Sequence, residues 1–503
     1  MNSLDKLRSW LSPTAALDIA QKRAAVDTMS RAYEALSQSR RSSGGWTSIK
    51  SGASAEASKA YLGLAEVGQE LCRNNPLAIK IKHLVGNNIV GDGIKPALIG
   101  SNKNTSKAAN EALKSWAEST QCDFNGKYNF YGLQWLIAVT VAECGGAFII
   151  KRFNRALKVP LQLQVIEQTH LDDSKQMTAD KSGDYITDGI VFNRHGQVKG
   201  YWLKPNTNRV GLLDDQSVYF DANEVRHVYD KTRSDQHLGL SWFAPIANTL
   251  KDRGEFKDAK LVQQKVAACF AAIITGAKDG DNVGYEDDDD ERITHVEPAM
   301  VQYMNEDADV KTINPPKADN STEFETTIDR DIAAGAGFTY EQLTGDYSKV
   351  NFASGRMGRS EFYNQLDHWQ QHVFKPDLDV VISDWWCGMY RMNTGALNCR
   401  TEWTYPVRAS VNPKEELEVT NMKVRNGYLS RSQAAKLYGG DWVHTNDQWR
   451  LDDEPMQDNA FDNDPRLFSL AGNQLNSDDA ASANREGAKP ATDDEKDDDS
   501  ENA

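Results

Sequence analysis

Three groupings of side chains in this sequence are of types that do chemistry. Glu286, Asp287, Asp288, Asp289, Asp290 and Glu291 form an unbroken carboxylate run. Such a run could collect a divalent cation and, with it, a water for phosphodiester cleavage, as a metal-dependent nuclease does. Cation loops, however, alternate ligands with spacers and a turn glycine. Consecutive carboxylates diverge, so the better reading is a solvated loop. His368 and His372 lie four apart and share one face of a predicted helix. They lack the glutamate of a zinc-protease helix, and a polar helix face is the expectation. Asp172 and Asp173 follow His170 at the end of a predicted strand, where a turn is expected rather than a catalytic pair. The sequence contains no GxxxxGK[ST], no GxSxG and no kinase motif set. Gly86 to Gly91 has the phosphate-loop glycine spacing, but Asp92 stands where the lysine belongs. No catalytic residue, metal or cofactor is expected.

The elements that would position these groups are mixed, with helix in the majority. Residues 1–55 combine Ser, Arg and Gly with one helical stretch, Ala15–Leu36, and read as a flexible arm. Helices are predicted over Glu66–Asn88, Glu111–Ser119 and Gly132–Cys144. Short β-branched or aromatic runs bounded by turn residues predict strands at Ile94–Ile99, Gly145–Phe153, Leu161–Glu167, Gly189–Asn193, Gly200–Lys204 and Val225–Tyr229. Asn193-Arg194-His195-Gly196 predicts a hairpin turn. Residues 56–235 therefore read as one α+β domain.

A long helix is predicted over 241–275, capped by Ser241 with Pro245 in its first turn. Its charges alternate over the first half, while Val262, Val266, Phe270 and Ile273 lie on its apolar side. That side makes sense if it packs between copies of the chain. Residues 276–320, with the acidic run and Pro315-Pro316, read as a small module containing strands near Met300–Met304 and Val310–Ile313. Ser321–Ala334 reads as a helix returning from it. Further helices are predicted at Met357–His372, at Val380–Tyr390, after Asn412-Pro413, and at Ser430–Tyr438. From about Gln457 onward the composition is Asp, Asn, Ser and Ala, and disorder is expected.

Composition bounds the function. The chain has 503 residues, 26% charged and 39% hydrophobic, which suits a folded protein with room for several cores. No apolar run reaches the roughly 18 residues of a membrane span, and no apolar leader is evident. Cysteines at 72, 122, 144, 269, 387 and 399 stand singly and read as reduced thiols. The net charge is −16. This is not the broad basic balance of a sequence-specific DNA binder. Net charge of this kind first of all keeps a protein in solution; an acidic surface also repels phosphate, which suits a conduit better than a clamp.

One stretch carries most of the identity. Ile328, Ile332, Ala333 and Ala334 are spaced as a helix, Gly335 and Gly337 break it, and Thr339 with Gln342 forms a capping-box pattern. Gly345 to Gly355 then reads as a polar loop. The wording AAGAGFTYEQLTGDYS, followed by Ser354 and Arg356, resembles the lambda-type family of bacteriophage portal proteins. Asn74-Asn75-Pro76, Val90-Gly91-Asp92-Gly93-Ile94, Val165-Ile166-Glu167, Gly239-Leu240-Ser241 with Pro245, and Asn412-Pro413-Lys414-Glu415 agree, in the family's order. The resemblance spans about residues 31–460.

The resemblance implies a wing, stem, clip and crown subunit that assembles as a homo-dodecamer ring. By that resemblance residues 56–240 and about 356–410 are wing, and 241–275 with 321–335 are stem. The clip is 276–320, the segment 336–410 opens with a tunnel loop at about 340–355, the crown is 411–460, and 461–503 is an acidic tail. Tyr347, Ser348, Lys349, Asn351 and Phe352 would face DNA. Val262, Val266, Phe270 and Ile273 would form the stem interface. Glu286, Asp287, Asp288, Asp289 and Asp290 would lie where partners dock. Implied partners are double-stranded DNA without sequence preference, the major capsid protein, the terminase large subunit and head–tail connector proteins, with no membrane. The implied place is the capsid portal vertex, reached from the host cytoplasm during assembly. A separate ATPase would move the DNA. The rival readings are the nuclease above and a monomeric adaptor.

Overall fold

The computed structural model describes residues 51–100, 103–205, 216–268, 273–275, 302–304, 309–311, 321–394, 399–408 and 412–440. The chain divides into two compact units, Met1–Val411 and Asn412–Ala503. The first is mostly helical α+β.

The first unit opens with two helices, α1 (Ala53–Asn74) and α2 (Pro76–Ile89), where the sequence predicts a single helix over Glu66–Asn88. Proline is the reason. It pushes the preceding Asn75 to extended backbone (φ −111°, ψ 120°). The freed Asn75 side chain then accepts the N–H groups of Leu77 and Ala78 and caps α2. After β1 (Lys95–Gly100) and α3 (Lys103–Glu118) comes α4 (Phe130–Cys144). That helix is buried on nearly every side and ends at Gly145, whose φ of 89° needs glycine. Gly68 lets α1 run against α4, since a Cβ there would strike the Glu143 carbonyl.

Strands β2 (Gly146–Phe153) and β3 (Leu161–Glu167) form an antiparallel hairpin with Phe148 opposite Ile166. β8 (Val225–Tyr229) pairs antiparallel on the other edge of β2. Between them β4 (Tyr185–Thr187), β5 (Ile190–Phe192), β6 (Val198–Leu203) and β7 (Val218–Asp221) make a four-stranded antiparallel meander. The hairpin turn predicted at Asn193–Gly196 is present, with Gly196 at φ 77°. Alternation along β2 serves two cores. Ala147 and Ile149 join the helices, while Phe148 and Ile150 join the meander with Tyr61, Tyr201 and Phe220. His227 stacks on Phe148 at 4.3 Å and donates its Nε2–H to Gln168 Oε1 at 2.9 Å. Burial, then the neighbouring His237, push its pKa down to about 3, so it is neutral.

The helix predicted over 241–275 is α5, Ala247–Ala268. Ser241 does not cap it. Its hydroxyl accepts the Phe243 N–H within a run of turns that precedes the helix. Ile273–Thr275 is a strand, β9, pairing parallel with β10 (Gln302–Met304) and antiparallel with β11 (Asp309–Lys311). Ile273 therefore does not belong to the helix, as its β-branched Ile-Ile-Thr setting explains. Helix α6 (Ser321–Ala336) follows, then α7 (Tyr340–Thr344) and α8 (Phe352–His368). Two π-helical stretches, Trp369–Phe374 and Val380–Trp386, flank α9 (Lys375–Asp379), and α10 (Cys387–Thr394) closes the run. Pro376 has no N–H and its ring conflicts with the carbonyl four residues back. The widened turn beside it accommodates both faults. β12 (Cys399–Thr404) returns to pair antiparallel with β1, Lys95 opposite Thr404.

The second unit shows α11 (Pro413–Arg425) and α12 (Arg431–Leu437), with no buried residue in either. Pro413 occupies the first turn as expected, but the Asn412 side chain reaches Glu415 instead of capping. Ser430 and Gln433 form a capping box on α12.

Candidate functional site

Helices α5 and α6 meet side by side and run antiparallel. Arg253 grips Asp329 with two donors, Nη2 to Oδ2 at 2.9 Å and Nε to Oδ1. Both side chains are nearly buried, at 13% and 9% exposure. Further along, Phe256 meets Phe324 edge to face at 5.2 Å, and Lys260 pairs with Glu325 at 3.1 Å. At the base of the pair, Ile246, Leu250, Ile332, Ala333 and Ala336 are buried in the main core. Beyond Lys260 the apolar residues are uncovered: Leu261 is 53% and Val262 57% exposed. Of the other residues predicted for this interface, the Val266 side chain and Phe270 lie outside the described residues.

Between α7 and α8 lies the predicted polar loop, held at both ends. Thr339 and Gln342 exchange hydrogen bonds at the start of α7, and Gly345 ends it at φ 78°. Asn351 caps α8 and exchanges bonds with Ser354. The predicted helix start at Met357 is therefore corrected to Phe352, because Asn351 supplies the cap. Within the loop Asp346 accepts the Ser348 N–H at 3.0 Å. Bonds from Ser348 hold its carboxyl below the usual range. Tyr347, Ser348, Lys349, Asn351 and Phe352 are all exposed, so the structure brings the five predicted residues together on one wet surface. Three of them, Tyr347, Asn351 and Phe352, border a cleft of about 380 Å³ that Thr339, Gln342, Arg356 and Arg359 also line. Arg359 escaped the sequence reading. Its signal was the three-residue spacing from Arg356, which places both guanidiniums on one side of α8.

The remaining predicted groups stay apart. Glu286 to Glu291 lie outside the described residues. His368 and His372 stand with ring centroids 5.3 Å apart. Among the described residues no group of three or more metal-binding side chains gathers. Asp172 sits in the expected turn, with the Ser174 hydroxyl at 2.6 Å and Lys204 at 3.6 Å. Burial would raise its carboxyl, but bonds from Ser174 and Ser217 and the Lys204 charge outweigh that and hold it low. Cys72, Cys122, Cys144 and Cys387 are buried and in no disulfide, with Cys72 and Cys122 pushed up to about 12, mainly by burial. No described helix is long and apolar enough to cross a membrane.

A family model described as phage portal protein, lambda family, matches residues 39–370. Among solved structures, the chain is similar to one in the neck of a native gene transfer agent particle computed with C12 symmetry. That likeness has 15% identity and a TM-score of 0.44, covering 76% of this chain and 93% of that one. A chain in the virion of a native gene transfer agent particle matches at 16% identity and TM-score 0.44, covering 82% and 99%. An HK97-family phage portal protein from Corynebacterium diphtheriae matches at 10% identity and TM-score 0.33, covering 61% and 87%.

Proposed function

The chain belongs to the lambda family of phage portal proteins, and on that premise we propose that it is the subunit of a dodecameric ring at the unique capsid vertex. The ring is the channel through which DNA enters during packaging and leaves at ejection. The family match over residues 39–370 carries this reading.

In the ring, α5 and α6 are the stem, with Val262, Val266 and Phe270 facing neighbouring subunits. The exposure of Val262 at 57% supports this, since an apolar side chain left in water on the isolated chain is free to be covered by a copy. The loop between α7 and α8 faces the channel, supported by its exposed Lys349, Tyr347 and Phe352. Residues 276–320 are the clip, where Glu286 to Asp290 meet the terminase large subunit during packaging and the head–tail connector afterwards. Residues 56–240 and 356–410 are the wing, set against the major capsid protein, and 411–460 the crown. The role is mechanical. The subunit guides DNA without reading its sequence, and a separate ATPase supplies the work.

The deciding measurement is mass. The full chain, purified and passed through size exclusion with light scattering, should elute as a ring many times its 56.1 kDa, with twelvefold particles in negative stain. A strict 56.1 kDa monomer at all concentrations would refute the ring. Cleavage of plasmid in the presence of magnesium would point instead to a nuclease at Glu286–Glu291.

A further inference from the structure

At the end of the sheet where β2 turns into β3, cationic and aromatic side chains gather. From Gly145 to Ile166 the sequence has no Asp or Glu but carries Lys151, Arg152, Arg155 and Lys158. The loop after Cys122 adds Phe124 and Lys127 at the same level. The Phe124 N–H bonds the Leu163 carbonyl at 2.9 Å, and Leu163 stands opposite Lys151 in the sheet. The loop's own acid, Asp123, is buried. Its carboxylate is spent on the N–H groups of Asn125, Lys127 and Tyr128. Among the described residues Glu224 is the acid whose charge reaches Arg152, and residues 145–166 themselves carry four cations and no acid in a chain of net charge −16.

The aromatic part is half exposed. Phe124 is 48% and Phe153 53% exposed. The Arg152 guanidinium lies 5.3 Å from the rings of both Phe124 and Phe220, and Arg155 lies 5.9 Å from that of Phe153. Two bonds to Gln164 Oε1 fix Arg152 in place. Asn393 bonds the Lys158 carbonyl at 2.9 Å and brings the end of α10 alongside, where Met392 is 75% exposed.

Charge alone would keep this tip soluble, and would need no phenylalanines in water. A phosphate backbone would use the cations and leave the apolar rings idle. Stacking of unpaired bases needs open ring faces, and here guanidinium groups stand against them. Arginine with aromatic residues and methionine is the composition enriched in protein–protein interfaces. We propose that the β2–β3 tip is a docking surface for an acidic, amphipathic segment of a partner protein. Carboxylates of the partner meet Arg155 and Lys158, and its apolar side chains cover Phe153. The proposal does not depend on how the subunit assembles.

The test is fluorescence anisotropy of the full chain with a labelled peptide of four Asp-Leu-Glu repeats. Comparison ligands are a polyglutamate of equal length and oligothymidylate. The repeat peptide should bind more tightly than either, and more weakly as salt rises. Arg155→Glu combined with Lys158→Glu should weaken it roughly tenfold. Phe153→Ser should weaken it severalfold and erase its advantage over polyglutamate. Each variant is checked by its urea midpoint, and Lys158→Glu alone serves should the pair fold poorly. No binding of the peptide, unchanged binding by the charge-reversed chain, or tighter binding of oligothymidylate would each overturn the proposal.

Discussion

Arg253 and Asp329, 76 residues apart in the chain, form a two-pronged ion pair that locks α5 to α6. The pair sits just above the point where both helices leave the core, marked by Leu250 on one and Ile332 on the other, each 0% exposed. Removing one partner strands a charge in a nearly water-free position, which costs about 3 kcal/mol. Asp329→Ala should lower the urea midpoint accordingly. Glu325→Ala, which breaks the more exposed Lys260 pair, should cost about 1 kcal/mol or less. Equal losses for the two would show that Arg253–Asp329 is no anchor.

Asp377 sets a pH dependence of unusual sign. Burial pushes its carboxyl up to about 6, although Arg226 at 3.1 Å pulls the other way. Below about pH 4 the group is protonated in both folded and unfolded chains and contributes no difference. As pH rises through 4 to 6 the unfolded chain ionises first, so the folded state loses stability, by about 2–3 kcal/mol at pH 7. Asp377→Asn removes that loss. Its stability relative to the unmodified chain should climb by about that amount between pH 4.5 and pH 7 in urea melts. A difference that stays flat with pH rejects the assignment.

Exposure at the far end of α5 gives a cleaner probe of assembly than a buried position does. Val262 is 57% exposed, so Val262→Asp should leave the subunit's own stability within about 0.5 kcal/mol. If that face is covered by a neighbour in the ring, the new carboxylate is buried unpaired at every contact. The expected result is a folded subunit that fails to form rings by light scattering. Normal rings would take this face out of the interface.

What the sequence disclosed, and what it hid, follows from the range of the interactions. Strands β3 and β8 were legible to the residue because β-branched and apolar runs are cut off sharply by turns, and α12 was legible to within one residue at each end. The break at Asn75 was present in the sequence as Asn-Pro, but the apolar stripe running through it read as one helix. β4 and β7 are too short to show alternation. The π turns beside Pro376 keep the helical spacing closely enough to be invisible. The Arg253–Asp329 pair and the His227–Gln168 bond join residues 76 and 59 positions apart, and no local pattern reports a partner at that distance. At the α7–α8 loop the Thr339–Gln342 cap was readable and fixed where α7 begins, but the Asn351 cap went unread, so the loop was carried to Gly355 and the second guanidinium at Arg359 was missed.

The channel reading of that loop rests on Lys349. It is exposed, lies between capped ends at Gly345 and Asn351, and would recur in every subunit of a ring. In such a ring that repetition would set a band of lysines, each beside Asp346 of its own loop, in an otherwise acidic protein. Each contact with phosphate would be weak and screened by salt, so DNA would slide past while many weak contacts together opposed slippage. Lys349→Ala removes no buried contact, so rings should assemble normally. Particles built with it should package shorter DNA or retain less of it, measured by DNA length per particle. Lys181→Ala, an exposed lysine of the meander region, should leave both unchanged. Arg356→Ala, on the cleft that Tyr347 and Phe352 of this loop border, should act in the direction of Lys349→Ala. Full-length, fully retained DNA in the Lys349→Ala particles would remove the loop from the mechanism and leave family membership standing.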